Sequence, residues 1–259
     1  MEFPIFQVDA FTGRLFGGNP AAVVILSEWL ADETLQAIAQ ENNLSETAFV
    51  VPGGNRFELR WFTPTVEVDL CGHATLASAH VLFHHGYALG PQVAFGYQGG
   101  TLTVTREGDL LAMDLPSRPP RPVPRDASLV QALRAAPEAV LQSRDLLAVF
   151  ETQGEVEALR PDLAAIASLD TFAVIATAPG RECDFVSRFF APGAGVAEDP
   201  ATGSAHCTLV PYWSARLGRP RLHALQLSRR GGELFCEDRG SRVKIAGRVV
   251  EYLSGSISV

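Results

Sequence analysis

Three short segments hold residue types suited to acid–base chemistry: Asn43-Leu-Ser-Glu-Thr47, Asp69-Leu-Cys-Gly-His-Ala-Thr75 and Glu198-Asp-Pro-Ala-Thr-Gly-Ser204. Glu46 stands just before the apolar run Ala48 to Val51, a helix-to-strand junction where a carboxyl group can be partly enclosed yet still reach a cleft. Partial burial disfavours a carboxylate and brings its proton affinity nearer to neutrality, as a residue that both removes and returns a proton requires. Position alone fits a solvated acid or a helix-cap partner at least as well, because most acids are solvated and sites are few.

Gly72-His73 and Gly203-Ser204 fall at the expected starts of two apolar helices, where unpaired backbone N–H groups and partial positive charge favour an anion such as a carboxylate. Both glycines permit close backbone approach. Asp199 and Ser204 also suit plain helix capping, and a cap can face a ligand as well. His73, His80 and His84 share one helical face with Cys71 nearby, which raises a zinc site. No HExxH pattern and no further carboxylate ligand accompanies them, so a packed histidine stripe is the better reading and no metal is expected. There is no P-loop or dinucleotide-binding fingerprint, so no nucleotide or flavin cofactor is expected either.

The elements that must position these residues come in two copies. Leu35-Gln-Ala-Ile-Ala39 matches Leu163-Ala-Ala-Ile-Ala167, and Arg60-Trp-Phe-Thr-Pro64 matches Arg188-Phe-Phe-Ala-Pro192, both at a spacing of 128 residues. Glu46-Thr47 then pairs with Asp170-Thr171, and Ala74-Thr75 with Ala201-Thr202, in preserved order. Between the copies, residues 116–124 (PSRPPRPVP) hold five prolines in nine positions, a stiff extended connector. The expected organisation is a first lobe over residues 1–116, a linker over 117–124 and a second lobe over 125–248. Asp32 is expected to cap a helix with Leu35, Ile38 and Ala39 on one face, ending near Asn42-Asn43. Ala48–Val51 and Ala173–Ala176 read as strands, as does the alternation of Val66, Val68 and Leu70 with Glu67 and Asp69. Helices are expected over 74–85 and 203–217, each stopped by a glycine, Gly86 and Gly218. The fold class is α+β.

With 259 residues, 47% hydrophobic and 19% charged, the chain has a globular composition. Its opening MEFPIFQVDAF lacks the basic start and apolar run of a targeting signal, and the longest apolar stretch, Ala21–Leu26, is far too short for a bilayer. Cys71, Cys183, Cys207 and Cys236 are scattered without a CxxC pair, which suits a reducing cytoplasm. A formal charge of −8 without basic runs argues against nucleic acid and acidic membranes as partners, and an anionic substrate must be held by local donors.

The three segments, with Gly17-Gly-Asn-Pro20 and the apolar run after it, resemble the PhzF-like isomerases of the diaminopimelate epimerase fold superfamily, in the expected order from Phe6 to at least His206. The resemblance implies two pseudo-symmetric lobes, each a mixed sheet around a central helix, with the active site between them and the strand at about 249–259 returning to the first lobe. It implies that Glu46, the glutamate of the Ser-Glu-Thr motif, is the general acid/base, and that His73, Asp199 and Ser204, with Gly72 and Gly203, line the substrate pocket. A cytoplasmic, cofactor-independent biosynthetic enzyme follows, possible as a homodimer, acting on a small carboxylated molecule. The family's named member serves phenazine biosynthesis. Diaminopimelate epimerase uses two cysteines; here Glu198-Asp-Pro200 occupies the second region, while Cys71 fits either a small apolar residue under the helix start or a second base. The expected function is therefore isomerisation with Glu46 as proton shuttle. The alternatives are amino-acid epimerisation or racemisation by Glu46 and Cys71, and a non-catalytic ligand-binding or assembly protein with the same fold.

Overall fold

A computed structural model describes all 259 residues, which divide into two compact units: Met1–Asp114 with Ala246–Val259, and Leu115–Ile245. In the first unit β1 (Glu2–Ala10) is antiparallel to β2 (Asn19–Ile25), and helix α1 (Asp32–Asn42) leads into β3 (Glu46–Gly53), parallel to β2. β4 (Arg56–Phe62) returns antiparallel, and the short β5 (Glu67–Val68) pairs with its end. Helix α2 (Gly72–His84) follows, then β6 (Gln92–Tyr97), parallel to β4, and the antiparallel β7 (Gly100–Glu107) and β8 (Leu110–Pro116).

The second unit repeats this plan. After β9 (Arg121–Pro122) and helix α3 (Ala127–Leu133), β10 (Ala139–Gln142) runs antiparallel to β11 (Leu146–Val149). Two short helices, α4 (Gln153–Ala158) and α5 (Leu163–Ala167), precede β12 (Val174–Pro179), parallel to β11, and β13 (Phe185–Ala191), antiparallel to β12. β14 (Val196–Asp199) pairs with the end of β13, helix α6 (Gly203–Leu217) follows, and β15 (Arg221–Gln226) lies parallel to β13. β16 (Gly232–Asp238) is antiparallel to β15, and β17 (Arg242–Gly247) ends the unit. Every parallel and antiparallel choice from β1 to β7 recurs from β10 to β16. The parallel ladders even start alike, at Phe57↔Phe95 and Phe185↔Ala224. The last strand, β18 (Val249–Ser258), belongs to the first unit and pairs antiparallel with β1.

Each unit buries a helix that is apolar on most sides, as a helix enclosed by sheet must be. Ala74, Leu76, Ala77, Ala79, Val81 and Leu82 of α2 are buried, and so are Ala205, Leu209, Val210 and Trp213 of α6. A second layer in the first unit packs Leu35, Ile38 and Ala39 of α1 on Phe49, Val51 and Phe62.

Several local expectations need correction. The N-cap of α1 is Ala31, not Asp32, whose carboxylate instead accepts from Arg60 at 2.9 Å. The alternating stretch 66–70 forms only the two-residue β5, and Val66 is exposed, because pairing with β4 ends after two residues. The proline-rich 117–124 is built into the second unit instead of standing free. Arg121 and Pro122 pair with β10, and the Arg118 N–H donates to the Cys207 carbonyl at 2.8 Å. That carbonyl is available because Pro211, four residues on in α6, has no N–H to give.

The duplication extends to one side-chain device. Arg60 grips Glu67 with two bonds of 2.7 Å, and Arg188 grips Glu198 with bonds of 2.7 and 2.9 Å, each fastening the strand before the central helix. Arg188 is the more buried, at 11% side-chain exposure against 25%, and it also donates to the carbonyls of Val156 and Leu159. Removing one partner of a buried pair strands the other charge, whereas exposed pairs contribute little. Urea unfolding should therefore show Arg188→Met costing about 3 kcal/mol and Arg60→Met about 1 kcal/mol.

Candidate active site

Glu46 opens β3 and stands opposite Ala21 in the parallel ladder with β2, which fixes where its carboxylate begins. His73 is the second residue of α2, whose N-cap, Cys71, has an extended backbone and makes no side-chain cap. The ladder and the helix start bring the two together: Glu46 Oε2 lies 2.9 Å from His73 Nε2, with side-chain exposures of 15% and 5%. Behind the imidazole, Cys71 Sγ is 3.5 Å and Asn19 Nδ2 3.1 Å from Nδ1. Burial works against a charged imidazole, yet the Cys71 sulfur and the Glu46 carboxylate beside it hold the His73 pKa well above its usual value. Burial pushes the Cys71 thiol up, and the Glu46 charge adds to this against the opposing pull of His73.

The donor atoms of Glu46, Cys71 and His73 lie within 4.8 Å of one another, close enough to converge on a metal ion. Both imidazole nitrogens already have protein neighbours, however, Asn19 Nδ2 at Nδ1 and Glu46 Oε2 at Nε2. His80 and His84 lie on the last turns of the same helix, stacked at 5.5 Å, apart from the Glu46–His73 pair.

In the second unit Asp199 ends β14, and Gly203 and Ser204 begin α6. Thr202, the N-cap, makes no side-chain cap; its hydroxyl donates to Asp199 Oδ2, so Asp199 secures the turn before the helix instead of capping it. Gln226 closes this turn, accepting from the Thr202 N–H at 2.8 Å and donating to the Asp199 carbonyl at 2.8 Å. His206, fully buried, donates from Nδ1 to the Thr202 carbonyl at 2.8 Å, and burial pushes its pKa down to about 4.

Of the residues singled out from the sequence, Glu46, Cys71, Gly72 and His73 gather in the first unit, and Asp199, Gly203 and Ser204 gather in the second. Sequence reasoning missed Asn19, Thr202, His206 and Gln226 as members of these clusters. Asn19 had a signal in its Gly-Gly-Asn-Pro setting, but Gln226 had none, since only the β15 ladder carries it to Thr202.

A family model for phenazine biosynthesis-like proteins (PhzC-PhzF) matches residues 8–255. The chain belongs to this family. It is 54% identical over 258 residues to an uncharacterized isomerase of Pseudomonas aeruginosa, covering 99% of each chain. It matches a crystal structure of a PhzF-family protein from Enterococcus faecalis with a TM-score of 0.98 and 43% identity, covering 100% of both chains. A hydroxyproline epimerase from Agrobacterium vitis, 12% identical over 99% of this chain and 92% of its own, shares the fold with a TM-score of 0.61. The chain is an isomerase of the phenazine biosynthesis-like family, with the duplicated α+β fold of the epimerases. No helix is long and apolar enough to cross a membrane.

Two expectations follow for this isomerase. His73 binds its proton more tightly folded than unfolded, so its contribution to stability is complete below ~6.5 and lost as pH rises through the raised folded value. His206 is the reverse, contributing fully above ~6.5 and losing that contribution as pH falls towards about 4. Urea midpoints measured against pH should fall on both sides, with His73→Gln flattening the alkaline limb and His206→Gln the acid limb. In addition, iodoacetamide at neutral pH should leave Cys71 unmodified in the native protein and label it in urea, since the thiol is 5% exposed and its ionisation is opposed.

Proposed function

We propose that the chain isomerises a small carboxylated metabolite by a proton shift carried by Glu46, without a cofactor. The observation that carries this reading is the 2.9 Å contact between the Glu46 carboxylate and the His73 imidazole at the start of α2. In the forward step the ionised Glu46 takes a proton from a carbon beside an activating group. The electron pair left behind delocalises into that group, and Glu46, whose carboxyl proton can exchange with solvent in between, returns a proton to another atom of the product. Atoms and charge balance within the substrate. An imidazolium at position 73 opposes the carboxylate while it is charged and can donate towards negative charge that develops nearby.

The start of α2 adds unpaired backbone N–H groups at Gly72 and His73, and that of α6 adds those at Gly203 and Ser204. With Asp199 and Ser204, these groups are assigned to binding and orienting the substrate. The assignment draws on the motif match and on the chemistry of a helix start towards a carboxylate. The name of the family points to phenazine precursors as one class of candidate and does not select among small acids.

The epimerase alternative needs bases on opposite faces of one carbon. A carbon held between two reacting atoms at about 3–3.5 Å from each leaves them roughly 6–7 Å apart. Glu46 and Cys71 are within 4.8 Å of each other, too close to flank a carbon, and the Cys71 thiol is held protonated by burial. That geometry favours the single-carboxylate reading.

Glu46→Gln preserves volume and hydrogen-bonding atoms, so it should keep the fold and lower turnover by ~10²–10⁴-fold, while Cys71→Ala should retain most activity. Proton NMR of candidate acids in deuterated buffer reads both variants. Exchange that survives in Glu46→Gln and disappears in Cys71→Ala would transfer the catalytic assignment to the thiol. Absence of exchange or product with every acid tried, in the wild-type chain, would count for a binding role.

A further inference from the structure

Asn19 is fully buried, and its side-chain nitrogen lies 3.1 Å from Nδ1 of His73. Nε2 of the same ring meets Glu46 at 2.9 Å. A primary amide is a two-sided group, with donor hydrogens on nitrogen and an acceptor oxygen on the same carbon, and a half-turn about its last bond exchanges them. With the nitrogen facing Nδ1, that ring atom accepts and the imidazole proton sits on Nε2, the nitrogen on the Glu46 side of the ring. When the ring takes a second proton, Nδ1 becomes a donor and cannot face the amide hydrogens.

The backbone around Asn19 is tightly constrained. Asn19 stands opposite Ala10 where β1 passes to β2. The intervening loop has Phe11 at φ 62° and Phe16 at φ 66°, both left-handed, which costs free energy for non-glycine residues. Gly18 has φ 59°, and a Cβ there would come within 2.1 Å of the Ala10 carbonyl oxygen. Asp9 accepts from the Phe16 N–H at 3.1 Å, closing the loop. The strained turn delivers one side chain, Asn19, to the back of His73.

We propose that Asn19 is a positioning residue that follows the protonation of His73, presenting its amide nitrogen to a bare Nδ1 and its amide oxygen to a protonated one. The amide thereby lets the imidazole change charge beside Glu46 without turning its ring. The groups facing the imidazole are Glu46 from β3, Cys71 from the N-cap of α2 and Asn19 from β2; of these, Asn19 alone has no ionisation and can serve either ring state by rotation. The proposal deepens the reading of Glu46 and His73 as the proton-handling pair and rests on it for functional meaning. Its test reads protonation of His73 directly, so it can fail while Glu46 remains the shuttle.

The experiment is nitrogen NMR of the full ¹⁵N-labelled chain across the pH range in which it stays folded. His73→Gln identifies the ring signals, and Asn19→Asp identifies the amide. In the wild-type protein, coupling across the hydrogen bond between Asn19 Nδ2 and His73 Nδ1 should appear only while Nδ1 is bare. The Asn19 NH₂ signals should shift with the same midpoint as the ring. Asn19→Asp, an acceptor only and negatively charged once ionised, should raise that midpoint by about one unit or more and favour the Nδ1–H tautomer. Asn19 signals that stay constant through the His73 titration would overturn the proposal, as would coupling from Nδ2 to a protonated ring. Because the wild-type signals alone separate these outcomes, the proposal remains testable even if Asn19→Asp fails to fold.

Discussion

A carboxylate and an imidazole set 2.9 Å apart, with side-chain exposures of 15% and 5%, impose a condition on everything around them. Burial alone works against a charged imidazole there, and the Cys71 sulfur and the Glu46 carboxylate beside the ring more than offset it. The first unit is arranged to meet that condition. The β2–β3 ladder fixes Glu46, the start of α2 fixes His73, and the turn between β1 and β2 brings Asn19 behind the ring. Cys71, caught between these, is a packed thiol whose ionisation is opposed by burial and then by the Glu46 carboxylate.

The second unit uses the same plan for a different cluster. Where the first has Glu46 against His73, the second has a neutral network of Thr202, Gln226 and His206 around Asp199. His206 is pushed down to about 4 because its buried ring has no carboxylate to support a charge, the opposite of His73. Two histidines near the starts of duplicated helices thus carry opposite proton affinities. The duplicated Arg60–Glu67 and Arg188–Glu198 pairs show what the copies kept in common: the clasp that ties the strand before each central helix.

Much of this was legible in the chain. The 128-residue spacing that relates Arg60 to Arg188 also relates Phe57 to Phe185, which open the parallel ladders of the two units. The helix ends at Asn43 and Gly218 were readable because both residues adopt the left-handed conformation that such residues tolerate. Local signals misled where distant partners decided the outcome. Asp32 looked like a cap, but Arg60 claims its carboxylate, and the prolines of 117–124 looked like a free connector until Pro211 left a carbonyl for Arg118 to fill.

By itself the sequence determined the duplicated α+β plan and the segments in which acid–base residues sit, because helix and strand periodicity, glycine stops and repeated motifs are local properties of the chain. Only the tertiary structure decided which of those residues touch. The proton affinity of His73 depends on Glu46 and Cys71, and its ring orientation on Asn19, 54 residues away. Burial and charge are properties of the assembled environment, and a one-dimensional pattern does not contain the distances that set them.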